Sequence, residues 1–197
     1  MTAEQKKKDI KTIDEDAIRR EFPILSTKVH GKPLVYLDSA ASAQKPQCVL
    51  DALSSAYSET YANVHRGLHY LSEASTDAYE AVRGKVASLI NATDPAEVVF
   101  TSGATMSLNL IAHAYGNTYL SEGDEVLITV AEHHANIVPW HLLGDRVGSA
   151  TIAAPVNEDG SFDLDIFKSY ITERTKIIAI PHVSNVLGTV FPVSEIA

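Results

Sequence analysis

The chain has 197 residues, 45% of them hydrophobic and 21% charged, with ten glycines and eight prolines; it is long enough to bury a core in one or two domains, and its composition excludes a disordered, collagenous or low-complexity polypeptide. Sixteen Lys and Arg against 25 Asp and Glu leave a formal charge of -9, which excludes a general nucleic-acid or anionic-membrane binder, because phosphate surfaces demand a basic partner. The single cysteine, Cys48, excludes a disulfide framework and a CxxC metal knuckle.

In chain order, residues 1–12 read as a polar tail with no apolar stretch after Lys6, Lys7 and Lys8, unlike a secretory signal. Asp14 to Phe22 predicts a short helix ended by Pro23. Pro33 to Leu37 predicts a strand entering the loop Asp38-Ser39-Ala40-Ala41-Ser42, and Pro46 opens a helix running to about Tyr57. Asn63 to Leu71 has neither period and reads as an ordered loop. Ser72 then caps a long helix with Ala78, Val82, Val86 and Leu89 on its apolar face.

Beyond it, short apolar runs alternate with helical patterns. Strands are predicted at Val98–Thr101, Glu125–Thr129, Ala150–Pro155 and Lys176–Ile180, with helices at Ala104–Ala114, Ile137–Leu143 and Leu164–Ile171. Strands that are apolar throughout belong in a sheet covered on both faces. Strand-helix repetition implies right-handed crossovers and an α/β fold, a mostly parallel sheet with flanking helices. No internal repeat, linker or membrane-length apolar run interrupts this pattern. Ligands of such sheets bind at the carboxyl ends of the strands.

Three polar segments stand at those ends. Thr101-Ser102-Gly103-Ala104-Thr105 opens a helix, where free backbone N–H groups and the Thr105 hydroxyl make a phosphate cup; an ordinary capped turn accounts for the same residues. Glu132-His133-His134-Ala135-Asn136 puts two histidines at the next strand end, one able to stack on a flat ring; two surface histidines are the plain alternative. Pro181 to Thr189 brings Asn185, a donor and acceptor, or simply a turn Asn. No GxGxxG or Walker A pattern is present. His65 and His69 have zinc-like spacing, but Arg66 stands where a metalloprotease has its Glu and Gly67 weakens a helix. Cys48 reads as a small structural residue.

Tyr36-Leu37-Asp38-Ser39-Ala40-Ala41, Asn63-Val64-His65-Arg66-Gly67-Leu68-His69, Gly103-Ala104-Thr105, the block Glu132 to Trp140, and Val183-Ser184-Asn185-Val186-Leu187-Gly188-Thr189 follow one another in a recognisable order. The chain resembles the N-terminal half of a SufS-type (group II) cysteine desulfurase, in the class V aminotransferase group of fold type I pyridoxal-phosphate (PLP) enzymes. The resemblance implies a truncated large domain over residues 31–197, with residues 1–30 belonging to the small-domain region. It implies that Ala104 and Thr105 hold the cofactor phosphate, that His133 stacks on the ring and assists proton transfer, and that Asn185 bonds the phenolic oxygen or the substrate carboxylate. Ala40 and Ala41 would line the carboxylate site, with His65 and Arg66 near its mouth or a dimer interface.

The implied reaction takes sulfur from L-cysteine as a protein persulfide, leaving L-alanine, for iron–sulfur cluster assembly. The implied setting is a cytoplasmic homodimer that passes sulfur to a SufE- or SufU-like acceptor. Ser102, Ala104 and Met106 depart from the family's Arg, Thr and Glu; Ala104 offers one hydroxyl fewer, so weaker phosphate binding is expected, and the changes at Ser102 and Met106 remove polar support of no assigned role. The family's Schiff-base Lys, pyridine-nitrogen Asp and persulfide Cys fall after Ala197, so the chain alone is expected to be inactive, with an unpaired sheet edge and an association-prone apolar face. Two further readings share these residues: a non-catalytic, partner-binding remnant, and another fold type I enzyme such as a selenocysteine lyase.

Overall fold

The computed structural model describes residues 13–197; the tail read above, with Lys6, Lys7, Lys8 and Lys11, lies outside the described residues. The chain divides into two compact units, one ending at Val98 and the other running Val99–Ala197. Among the described residues no helix is long and apolar enough to cross a membrane.

In the first unit, Asp14 caps α1 (Glu15–Arg20) by accepting a hydrogen bond from the Ala17 N–H at 2.9 Å, and Pro23 opens a 3-10 turn after it. The pair β1 (Lys28–Val29) and β2 (Lys32–Pro33) is antiparallel around His30 and Gly31, both at positive φ. The predicted strand Pro33–Leu37 is not formed past Pro33: among the described residues nothing pairs with it there, and Val35 and Leu37 are exposed. Apolar composition signals a segment suited to a covered sheet, but a ladder also needs a partner backbone.

Helix α2 (Gln47–Ser55) follows Pro46 and continues as a π-helical stretch, Ala56–Thr60. Cys48 on α2 is exposed, against the expectation of a buried structural thiol, because α2 buries none of its residues within this unit. Helix α3 (Tyr70–Leu89) is capped by His69, whose Nδ1 accepts from the Ser72 N–H. Ser72, the predicted cap, is instead fully buried in the first turn. Its hydroxyl donates to the Asn63 carbonyl at 2.5 Å and accepts from the Gly67 N–H at 3.0 Å, clasping the preceding loop. Most of the expected apolar face is turned out: Ala78, Val82 and Leu89 are exposed and Val86 is half-buried, while Ser72 and Ala87 are buried.

The second unit starts with α4 (Ala104–Ile111), which loosens into a π-helical stretch, Ala112–Gly116, and ends in α5 (Asn117–Tyr119). Strand β3 (Glu125–Thr129), helix α6 (Val138–Val147), strand β4 (Ala150–Ala154), helix α7 (Leu164–Ser169), strand β5 (Thr175–Ile178) and α8 (Val193–Ile196) complete it. The sheet order is β4-β3-β5 and both pairings are parallel, as the apolar β3 demands. Val126 and Ile128 pack on one face with Ala112, Leu120, Trp140 and Leu143, and Leu127 packs on the other with Ala154 and Phe167. Val98–Thr101, predicted as a fourth strand, joins no ladder among the described residues; Val98 is buried but Val99 is exposed.

Candidate active site

Gly103 precedes α4 at φ 148° and ψ 174°, a conformation open mainly to glycine. The turn lets the N–H groups of Ala104, Thr105 and Met106 project from the helix start; none has an acceptor among the described residues, the ladder beginning with Ser107 N–H to the Gly103 carbonyl at 3.1 Å. Thr101 Oγ1 donates to that same carbonyl at 3.0 Å and lies 2.7 Å from Ser107 Oγ, so the turn is held from beneath. Ala104 and Thr105 are exposed. Free donors and the positive end of the helix dipole at an open surface suit an anion, with roughly 0.3–1 kcal/mol from the dipole per charge.

Past β3, the turn His134–Asn136 packs against both α4 and α6. His133 caps it: Nδ1 accepts from the Ala135 N–H at 3.0 Å, so in the neutral ring the proton sits on Nε2, and the side chain is exposed. The same turn carries a partly buried relay that sequence reading missed. Asn136 Nδ2 donates to Glu132 Oε2 at 3.0 Å, and Trp140 Nε1 donates to Asn136 Oδ1 at 3.0 Å. The four-residue spacing of Glu132, Asn136 and Trp140 was the available signal. Glu132 Oε1 is buried without a partner. Burial pushes the Glu132 carboxyl up to about 7, against the opposing pull of the Asn136 amide and the His133 backbone N–H.

Asn185 sits exposed at the tip of a small hairpin closed by the bridge between Val183 and Val190. Ser184, 3% exposed, accepts from the Leu187 N–H and donates to the Ala131 carbonyl at 3.2 Å. That bond pins the hairpin to the residue before Glu132. The α4 start, the His133 turn and the Asn185 hairpin therefore all belong to the second unit, linked through packing and one buried hydrogen bond.

The other candidates lie in the first unit. Ala40 and Ala41 form an exposed turn in which the N–H groups of Ala41 and Ser42 both donate to the Asp38 carbonyl, and Tyr36 OH donates to the Ser42 carbonyl at 2.6 Å. His65, at φ 68°, reaches Glu80 through Nε2 at 2.7 Å and meets Tyr79 edge-on. Arg83 bonds the other Glu80 oxygen at 3.0 Å, and the His65 bond and Arg83 hold the Glu80 carboxyl below its usual range. Arg66 is exposed beside it. His65 and His69 are thus committed to Glu80 and to the α3 cap, and among the described residues no group of three His, Cys, Asp or Glu side chains is placed to hold a metal.

The donors at α4 suit an anion, and the His133 imidazole and the Asn185 amide stand exposed on two segments of the same unit. A family model for class-V aminotransferases matches residues 35–197. A probable cysteine desulfurase from Synechocystis sp. is 49% identical over 180 residues, 91% of this chain and 43% of that protein. The cysteine desulfurase CsdA from Escherichia coli superposes with a TM-score of 0.76 at 38% identity, covering 92% of this chain and 44% of that one. An apo cysteine desulfurase from Thermococcus onnurineus gives a TM-score of 0.83 at 33% identity, covering 92% and 43%. The chain spans less than half the length of the relatives it matches.

Proposed function

Because the chain belongs to the class-V aminotransferase family, we propose that it forms the phosphate- and ring-contacting part of a SufS-type, PLP-dependent cysteine desulfurase. The observation that carries this reading is the set of free N–H groups at the α4 start, in the same unit as the His133 turn and the Asn185 hairpin. The whole enzyme would convert L-cysteine to L-alanine and pass the sulfur, as a persulfide, toward iron–sulfur cluster assembly. It would do so in the cytoplasm, as a homodimer served by a SufE- or SufU-like acceptor. Residues 1–30 would belong to its small-domain region and 31–197 to its large domain.

Each residue has a role that its own chemistry supplies. Ala104 and Thr105 would bind the phosphate through backbone N–H groups and the Thr105 hydroxyl. When bound, PLP supplies an electron sink for bond breaking at the amino acid's α-carbon. His133 would cover the ring and offer Nε2–H as a donor. To take up a proton at Nδ1 it must first release the Ala135 N–H. Asn185 would orient the phenolic oxygen or the substrate carboxylate with its amide. Ala40 and Ala41, small and on a turn, would leave room for that carboxylate.

The test is direct titration of the 197-residue chain with PLP, read by cofactor absorbance and competed with inorganic phosphate. Saturable, reversible binding is expected. Thr105→Val should weaken it about tenfold, the loss expected for a hydrogen bond to a charged group. Absence of saturable binding, or equal binding by Thr105→Val, defeats the reading.

A further inference from the structure

We propose that Glu132 is a positioning residue for His133, gripping through Oε2 the turn that carries the imidazole and keeping Oε1 as a bare, buried oxygen beside it. Calling His133 a cofactor-facing ring rests on the function proposed above; the grip itself does not. The carboxyl holds the turn at its far end, where the Asn136 amide donates to Oε2 at 3.0 Å, and Glu132 itself is the residue that leads into His133. Asn136 is in turn held by Trp140, whose indole is only 2% exposed, so the grip is rooted in the core. The Ala135 N–H, on the turn so fixed, selects the Nε2–H form of His133.

A bare buried oxygen costs more on a carboxylate than on a neutral acid, because burial penalises the charged form most. A neutral Glu132 also places no negative charge at the His133 turn, whereas its ionised form would repel the phosphate and carboxylate groups proposed to bind near that turn. The titratable side chains on the elements around it are His133 and His134 on its own turn, His141, Asp145 and Arg146 on α6, and His182 on the hairpin; α4 carries none. None of these forms an ion pair with Glu132.

Trp140 is the chain's single tryptophan, so its indole N–H resonance reports the relay without cofactor or turnover. In the wild-type chain that resonance should move with pH, with a midpoint near 7. In Glu132→Gln, which keeps a neutral group of the same shape, the movement should vanish while ¹⁵N shifts still show His133 protonated on Nε2. In Glu132→Ala the same shifts should show the His133 tautomers mixed. A wild-type signal flat between pH 5 and 9, a midpoint that survives in Glu132→Gln, or an unmixed His133 in Glu132→Ala would overturn the proposal. Failure of PLP to bind would end the functional reading while leaving these three readouts intact.

Discussion

Ser184 and Ala131 lie 53 positions apart in sequence, yet the Ser184 hydroxyl donates to the Ala131 carbonyl at 3.2 Å in the buried interior. The bond joins two strand-end segments that the sheet alone would leave independent: the one entering Glu132 and His133, and the hairpin presenting Asn185. Ser184→Ala leaves the Ala131 carbonyl buried and unpaired. The expected cost is about 1–3 kcal/mol of unfolding free energy, read by urea denaturation. Weaker PLP binding should accompany it as the hairpin loosens. An unchanged urea midpoint would show that the two segments are held by other contacts.

Gly116 marks a close approach between the α4 extension and α6. A Cβ there would clash with Leu143 Cδ2, and Leu143 is fully buried in the core that packs on β3. Gly116→Ala should destabilise the second unit by about 1–3 kcal/mol through overpacking, despite alanine's better helix propensity. Thermal melting decides it: a raised melting temperature contradicts this packing.

Gly103 presents the opposite case. A Cβ there would meet nothing within 4 Å, so only the backbone conformation demands glycine. Gly103→Ala should cost about 1–3 kcal/mol of strain or rotate the turn to escape it. Rotation would redirect the Ala104 and Thr105 N–H groups, so inorganic phosphate should compete more weakly for PLP. Undiminished competition would mean that these donors are not the anion site.

Glu125 predicts acid sensitivity. Its carboxylate accepts from Thr172 Oγ1 at 2.6 Å and pairs with Arg174 at 2.5 Å, and these two partners, Thr172 foremost, hold it below its usual range. A lowered carboxyl contributes its stability above the ordinary carboxyl range, and loses it as pH falls through the lowered value. Unfolding should therefore ease as pH drops below about 4.5, and Thr172→Val should flatten that dependence. Equal acid loss in both proteins, measured by urea midpoints at pH 7 and pH 3, would assign the effect elsewhere.

Local structure was legible wherever it depends on neighbours in sequence. A short helix lies between Asp14 and Pro23, as read, and β3 follows its apolar run. The readings that failed depended on distant partners. Among the described residues Val98–Thr101 and the stretch after Pro33 have strand composition but no ladder, α3 turns Ser72 inward while most of its apolar stripe is exposed, and Cys48 stays exposed because α2 buries nothing within its unit. Single-residue candidates such as Thr105, His133 and Asn185 could be named from their segments. The Glu132–Asn136–Trp140 relay needed coordinates to show that its polar atoms meet.

Two glutamates at opposite ends of one strand show the division. Sequence by itself determined that Glu125 opens β3 and that Glu132 follows its end, since both bracket an apolar run suited to a covered parallel strand. Only the tertiary structure decided their charge states. Thr172, brought alongside by the β3–β5 pairing, donates to Glu125 with Arg174 beside it and favours the ionised form. At Glu132 the fold buries an oxygen with no donor to meet it, and lost hydration favours the neutral form. Side-chain charge follows from what surrounds it, and that is set by contacts between segments far apart in the chain.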